Sequence, residues 1–126
     1  MKLINSSKIE VKKSKFISYY YNLDNQSEVK EILNDIKKAH KNAKHVAYAY
    51  IFNNTAGKSD DKEPSGTAGG PLYNLLVLNN LSNALIIVVR YFGGIKLGVG
   101  PLTRAYKEAG IMALKKWLSN HLFYFI

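Results

Sequence analysis

The sequence predicts an α+β fold, in which helices pack against a mixed β-sheet. Three observations indicate this class: stretches rich in β-branched and aromatic residues, segments with apolar residues at helical spacing, and one nearly continuous apolar run. With 126 residues, the chain is long enough to bury one hydrophobic core. We therefore expect a single domain.

Three stretches predict strands. Residues 8–22, KIEVKKSKFISYYYN, predict one or two strands from their β-branched and aromatic content. Side chains alternate along HVAYAYIF, residues 45–52, so that the large ones share one face and the small Ala47 and Ala49 lie on the other. The alanines leave space for a helix, and the aromatic face is expected to be core. The run ALIIVVRY, residues 84–91, is typical of a central strand covered on both faces.

Two amphipathic helices are predicted from apolar residues spaced three and four apart. The apolar positions of the first are Val29, Ile32, Leu33, Ile36 and Ala39. The second begins near Pro101, because a proline lacks an N–H that the first helical turn leaves unused anyway. Its apolar positions are Leu102, Ala105, Ala109, Met112, Ala113 and Trp117. LYNLLVL, residues 72–78, predicts a further helix that starts as early as Ser65.

The order of these elements predicts the topology. A strand, a helix and a strand in succession indicate a βαβ unit, for which parallel pairing is usual, so the sheet is expected to be mixed. Residues 53–71 form the longest stretch of turn-forming residues, and a loop of this length is typical of a functional or mobile segment. The final residues, HLFYFI (121–126), predict a short strand.

The charge balance favours polyanionic partners. The formal net charge is +9, and lysine supplies 16 of the 18 basic residues. The lysines cluster, with Lys8, Lys12, Lys13 and Lys15 in one group and Lys37, Lys38, Lys41 and Lys44 in another. Such a balance favours RNA, DNA, ribosomes or acidic membrane surfaces. A lysine-rich composition that reflects an AT-rich genome is the open alternative.

Composition also excludes several kinds of site and indicates the cellular compartment. The chain has no cysteine, which excludes disulfides, thiolate metal sites and a cysteine nucleophile. Apolar runs stay far below the roughly 18 residues of a transmembrane helix, and the first residues lack the apolar segment of a secretory signal. We expect a cytoplasmic protein without membrane association.

Two glycine-rich turns are the candidate binding site: SGTAGGP, residues 65–71, and GGIKLGVGP, residues 93–101. Glycine lets backbone N–H groups approach a ligand, and a helix N-terminus suits phosphate. The only two arginines, Arg90 and Arg104, flank the second turn and offer bidentate donors. The predicted nucleic-acid or anion-binding residues are Arg90, Tyr91, Gly93, Gly94, Lys96, Gly98, Gly100, Arg104, Ser65, Gly66 and Thr67. The aromatic candidates for base stacking are Tyr91, Phe92 and Tyr106.

The acidic loop SDDKEPS allows two other roles. Asp60, Asp61 and Glu63 are candidate Mg²⁺ ligands, although three carboxylates in four residues more often form a solvated, helix-capping turn. Equally, they are candidates to pair with Arg90 and Arg104 and lock the loop. No triad spacing emerges around the histidines. We therefore assign no catalytic residue, expect no cofactor and favour a non-enzymatic protein.

SDDKEPSGTAGGPLYNLL (59–76) and IIVVRYFGGIKLGVGPLTRAY (86–106) resemble the IMPACT family, which includes the YigZ-like proteins of bacteria and a domain of a eukaryotic translational regulator. KSKF (13–16) and HVAYAY resemble it too. The resemblance implies a two-layer sandwich similar to the second domain of ribosomal protein S5, with helices on one face of the sheet. Bacterial relatives usually carry a second, ferredoxin-like domain. Here we expect one IMPACT-type domain over residues 1–126 without it.

The resemblance also implies a link to translation through nucleic-acid or ribosome binding. Our leading hypothesis is a cytoplasmic domain that binds RNA or a ribosome-associated target and takes part in the regulation of translation. Two alternatives stay open: a metal-dependent enzyme that acts on a phosphorylated substrate, and a protein-interaction module that recognises a translation factor. The sequence does not predict an oligomeric state.

Overall fold

The computed structural model describes residues 1–120, with side chains as far as Lys115. The elements are β1 (Lys2–Val11), β2 (Ser14–Asn22), α1 (Glu28–Ala39), β3 (His45–Phe52), β4 (Thr55–Ser59), α2 (Gly69–Leu78), β5 (Ala84–Tyr91) and α3 (Val99–Asn120). The predicted α+β class is confirmed. Within the described helices, none combines the length and hydropathy of a membrane span. The predicted strand over 121–126 and the side chain of Trp117 lie outside the described residues.

The sheet has the strand order β1-β2-β5-β3-β4, and every neighbouring pair is antiparallel. The prediction of a mixed sheet is therefore wrong. Its cause is β4, which lies inside the stretch predicted as a loop and pairs with β3 by running back along it. Helix α2 then carries the chain across the sheet again. As a result β5 runs antiparallel to β3, with His45 opposite Arg90.

Strand β5 is the centre of the sheet, as predicted, and its residues from Ala84 to Arg90 are buried. Ile86 and Val88 pack with α2 and α3 on one face. Ile87 and Val89 pack on the other face with the apolar side of α1. The helices therefore cover both faces, as the apolar run of β5 predicts, whereas the resemblance implied helices on one face. The extra layer arises because the apolar residues of α1 need a partner surface.

Strand β3 alternates as predicted. Ala47 and Ala49 lie on the face that packs with α2, and the aromatic residues lie on the α1 face. The end of α1 is attached to the sheet through His40, whose Nε2 lies 2.7 Å from the Tyr19 hydroxyl and whose Nδ1 lies 2.6 Å from the Tyr91 hydroxyl. This contact brings the C-terminal end of α1 next to the C-terminal end of β5.

Candidate nucleic-acid interface

A buried ion pair lies at the C-terminal end of β5. Arg90 is 6% exposed, and its Nη1 donates to both carboxylate oxygens of Glu63, at 2.9 and 2.8 Å. Its Nη2 lies 3.5 Å from the Ser14 hydroxyl oxygen. Of the two roles left open for this arginine, internal pairing with the acidic loop is the one that the structure contains.

Two further side chains contact Glu63. The Tyr106 hydroxyl donates to Oε2, and burial, together with this hydrogen bond, raises the pKa of Tyr106 far above its ordinary value. His45 Nδ1 lies 2.6 Å from the carbonyl oxygen of Asp61, which only accepts, so this nitrogen carries a proton. His45 Nε2 lies 3.3 Å from Glu63 Oε1. The carboxylate therefore accepts hydrogen bonds from β5 and α3, and the His45 ring of β3 lies beside it.

The carboxylate of Asp60 occupies the N-terminal end of α2. It accepts backbone N–H groups from Gly66 at 2.9 Å, Ala68 at 3.1 Å and Gly69 at 2.8 Å. Burial opposes ionisation of this carboxyl, but the three N–H donors outweigh it and hold its pKa below the ordinary value. The first predicted anion site is thus filled by a side chain of the protein itself.

The remaining residues of the acidic loop also have protein partners. Asp61 Oδ2 accepts the backbone N–H of Val46 at 2.6 Å. Thr67, a predicted ligand, is 1% exposed, and its hydroxyl donates to the Pro64 carbonyl at 2.6 Å, so it cannot reach a surface-bound anion. The carboxylates of Asp60, Asp61 and Glu63 contact three different sets of donors, and no cluster of three metal-ligating side chains occurs in the described part of the chain.

The second glycine turn packs against the β1–β2 hairpin. A Cβ on Gly93 would lie 2.0 Å from the carbonyl oxygen of Lys13, so only glycine fits this approach. Gly94 has a φ of +91°, which favours glycine. Lys96, Gly98, Gly100 and Arg104 are all exposed. Arg104 pairs with no carboxylate among the described residues, and Gly100 lies next to its guanidinium.

A cleft of about 250 Å³ lies between the acidic loop and the second turn. Its lining residues are Lys44, His45, Glu63, Pro64, Arg90, Phe92, Lys96, Leu97 and Leu102. The predicted residues Ser65 and Gly66 line a separate depression with Lys58 and Asp60. The two glycine turns therefore do not form one site, because the cleft beside the second turn is lined by Glu63 and Pro64, which precede the first turn, and by no residue of the first turn itself.

The three aromatic candidates for base stacking differ in their exposure to solvent. Tyr106 is fully buried, where its ring packs edge-on against Phe16, and it has no free face. Tyr91 is engaged with His40 on the α1 side. Phe92 is 48% exposed, and the Arg90 guanidinium carbon lies 5.9 Å from its ring centroid. Phe92 is therefore the candidate that presents an aromatic face to solvent.

Exposed lysines gather around this cleft. Lys15 pairs in register with Tyr91, and the backbone N–H of Lys44 donates to the Arg90 carbonyl at 2.8 Å. The Lys12–Lys13 turn touches Gly93, and α1 ends beside Tyr91. We call this surface the basic end. Its exposed lysines are Lys12, Lys13, Lys15, Lys38, Lys41, Lys44 and Lys96.

Sequence reasoning assigned no binding role to Ser14, His45, Pro64 or Leu102. Ser14 and His45 come next to Arg90 only through the antiparallel pairing of β2 and β3 with β5, whereas Pro64 and Leu102 reach the cleft from the acidic loop and from α3. The one signal in the sequence was the pair of arginines beside the second turn.

Comparison with known proteins gives consistent matches. The family described as the Impact N-terminal domain matches residues 12–114. IMPACT family member YvyE from Bacillus subtilis is 41% identical over 104 residues, which are 80% of this chain and 48% of that protein. IMPACT family member YigZ from Escherichia coli is 35% identical over 112 residues, or 85% of this chain and 55% of that protein. The chain spans about half the length of these relatives.

Two solved structures are similar in fold. A crystal structure of a hypothetical protein matches with a TM-score of 0.85 and 33% identity, over 89% of this chain and 57% of that one. The two-domain translational regulator Yih1 matches with a TM-score of 0.57 and 20% identity, over 88% of this chain and 46% of that one. The second likeness concerns the fold alone.

Proposed function

The chain belongs to the IMPACT family, and from this premise we propose that it is a cytoplasmic RNA-binding domain, acting on free or ribosomal RNA in the regulation of translation. A protein of similar fold, Yih1, is described as a translational regulator. The proposal rests above all on one observation, the gathering of exposed lysines from the β1–β2 hairpin, the end of α1 and the second turn at the basic end.

The basic end is suited to a polyanion because its lysines are not neutralised locally. In the nearest acidic loop Glu63 pairs with Arg90, and no lysine of the basic end forms a salt bridge among the described residues. The surface therefore keeps a net positive field, which attracts phosphates and releases their counterions. Arg104 adds an exposed bidentate donor one turn into α3.

Binding of a fluorescein-labelled single-stranded RNA, followed by anisotropy, tests the proposal. Replacing Lys12, Lys13 and Lys44 together by glutamine is expected to weaken binding at least about tenfold and to lower the salt slope by about 2, because each neutralised phosphate contributes about 0.7 for single strands. Arg104→Ala is expected to cost about 1–3 kcal/mol, as for a charge-assisted hydrogen bond.

The control removes the same charge elsewhere. Lys2, Lys30 and Lys115 are exposed at the beginning of β1, in the first turn of α1 and far along α3, and their glutamine variant is expected to bind within about threefold of wild type. Equal losses in both triple variants would mean that the basic end is not the interface. RNA binding that is absent, or insensitive to salt, would refute the function itself. A nuclease-resistant pull-down of a protein would favour a protein partner instead.

A further inference from the structure

We propose that the cleft between Pro64 and the Phe92–Leu102 segment accepts one unstacked nucleobase, which stacks on the ring of Phe92 while its flanking phosphate lies between Lys44 and Lys96. This inference deepens the proposed RNA binding and rests on it for its biological ligand. It goes further in requiring a single strand, since the bases of a duplex are not available for insertion.

Phe92 is held in place as a platform. The Arg90 guanidinium lies against both Phe92 and Phe16, 5.9 and 5.6 Å from the two ring centroids. The guanidinium is itself fixed by the buried bond to Glu63. A large aromatic side chain that is rigidly supported from below and 48% exposed is the arrangement on which bases stack.

The cleft suits a base in size and in chemistry. Its volume of about 250 Å³ falls below the roughly 300–1,000 Å³ of pockets for drug-sized ligands, so it suits a group as small as a single base. Pro64, Leu97 and Leu102 supply apolar walls. Arg90 also lines the cleft, and its Nε is a buried donor without a partner in the described part of the protein.

Two lysines at the rim of the cleft indicate that the bound base carries a phosphate. Lys44 and Lys96 line the cleft and are both exposed, so each ammonium group is available for a phosphate. Glu63, whose oxygens already accept from Arg90 and Tyr106, has little left with which to read a base edge. Recognition therefore depends on stacking and charge, and we expect little sequence preference.

Adenosine monophosphate and ribose 5-phosphate are the probes, because they share the phosphorylated sugar and differ in the base. In NMR titrations of the wild type, AMP is expected to bind about 5- to 100-fold more tightly, the effect of one stacked base. Phe92→Ala is expected to abolish this ratio, and Phe92→Trp to restore it. Ile95→Ala is the matched control, because Ile95 is 42% exposed on the same turn but does not line the cleft.

The outcomes separate this inference from the proposed function. The proposal that the cleft binds a base would be refuted by any of three results. These are equal affinities for the two probes, no preferential shifts up to about 10 mM AMP, or an unchanged ratio of the two affinities in Phe92→Ala. Should the labelled RNA still bind through the basic lysines, the proposed function would survive that result. If AMP binds more tightly than ribose 5-phosphate as expected but RNA does not bind, base binding in the cleft would be supported and RNA would be excluded as its ligand.

Discussion

Glu63 lies beside the cleft and contacts side chains from three elements of the fold. Its carboxylate contacts Arg90 from β5, His45 from β3 and Tyr106 from α3. A buried ion pair adds little net stability over apolar packing, yet removing one partner leaves the other charge without compensation. The pair thus acts as a positioning device, which fixes the guanidinium under Phe92 and joins the acidic loop to the sheet.

Asp60 carries a pH-dependent part of the stability. Asp60→Ala is expected to lose about 1–2 kcal/mol of unfolding free energy at pH 7, because three backbone N–H groups lose their acceptor. The pKa of Asp60 is lowered in the folded protein, so its contribution is complete above the ordinary value of 3.8 and is lost as the pH falls through the lower folded-state pKa.

Urea denaturation at pH 7 and at about pH 2–3 measures this effect, and the gap between Asp60→Ala and wild type is expected to narrow in acid. Asp35→Ala, at an exposed position of α1, is the control and should change little at either pH. A gap of the same size in acid and at neutrality would show that the carboxylate charge is not what stabilises α2.

At the scale of elements, the sequence predicted those with strong periodicity. The alternation of HVAYAYIF and the apolar run of β5 were sufficient for two strands and for their burial. Strand β4 was missed because Thr55–Ser59 contains no large apolar residue, and its pairing to β3 uses backbone groups that carry no sequence signal. That one omission reversed the predicted direction of β5 relative to β3.

The contact between the second turn and the β1–β2 hairpin gives a test at this scale. Gly93→Ala is expected to cost at least about 2 kcal/mol, because the new Cβ would overlap the carbonyl of Lys13 at 2.0 Å and backbone atoms cannot move aside cheaply. Gly98→Ala, whose Cβ would meet only Pro101 at 3.8 Å, should stay within about 0.5 kcal/mol of wild type. Thermal unfolding measures both, and equal shifts would contradict this packing.

For the molecule as a whole, charge was predictable and its location was not. The two lysine clusters were visible in the sequence, but they meet because the β1–β2 hairpin and the end of α1 both reach the C-terminal end of β5. The two glycine turns were likewise visible in the sequence. The Asp60 carboxylate, however, already accepts the backbone N–H groups of the first turn, so this turn is not free to bind an anion together with the second. Long-range pairing therefore determines the candidate site, and local patterns supply only its residues.

The sheet is packed between α2 and α3 on one face and α1 on the other, and this three-layer arrangement can be tested. Ile86 and Ile87 are adjacent, fully buried residues of β5 that point to opposite faces, toward α2 and α3 or toward α1. If both faces are packed, Ile86→Ala and Ile87→Ala should each lose about 2–5 kcal/mol of unfolding free energy in urea, since each leaves a cavity in a covered core. If α1 were only loosely attached, Ile87→Ala would cost less than about 1 kcal/mol, because water would reach that face and no cavity would form. Comparable losses at the two neighbours would therefore mean that α1 is part of the folding unit, and that the basic end includes its lysines as a fixed surface.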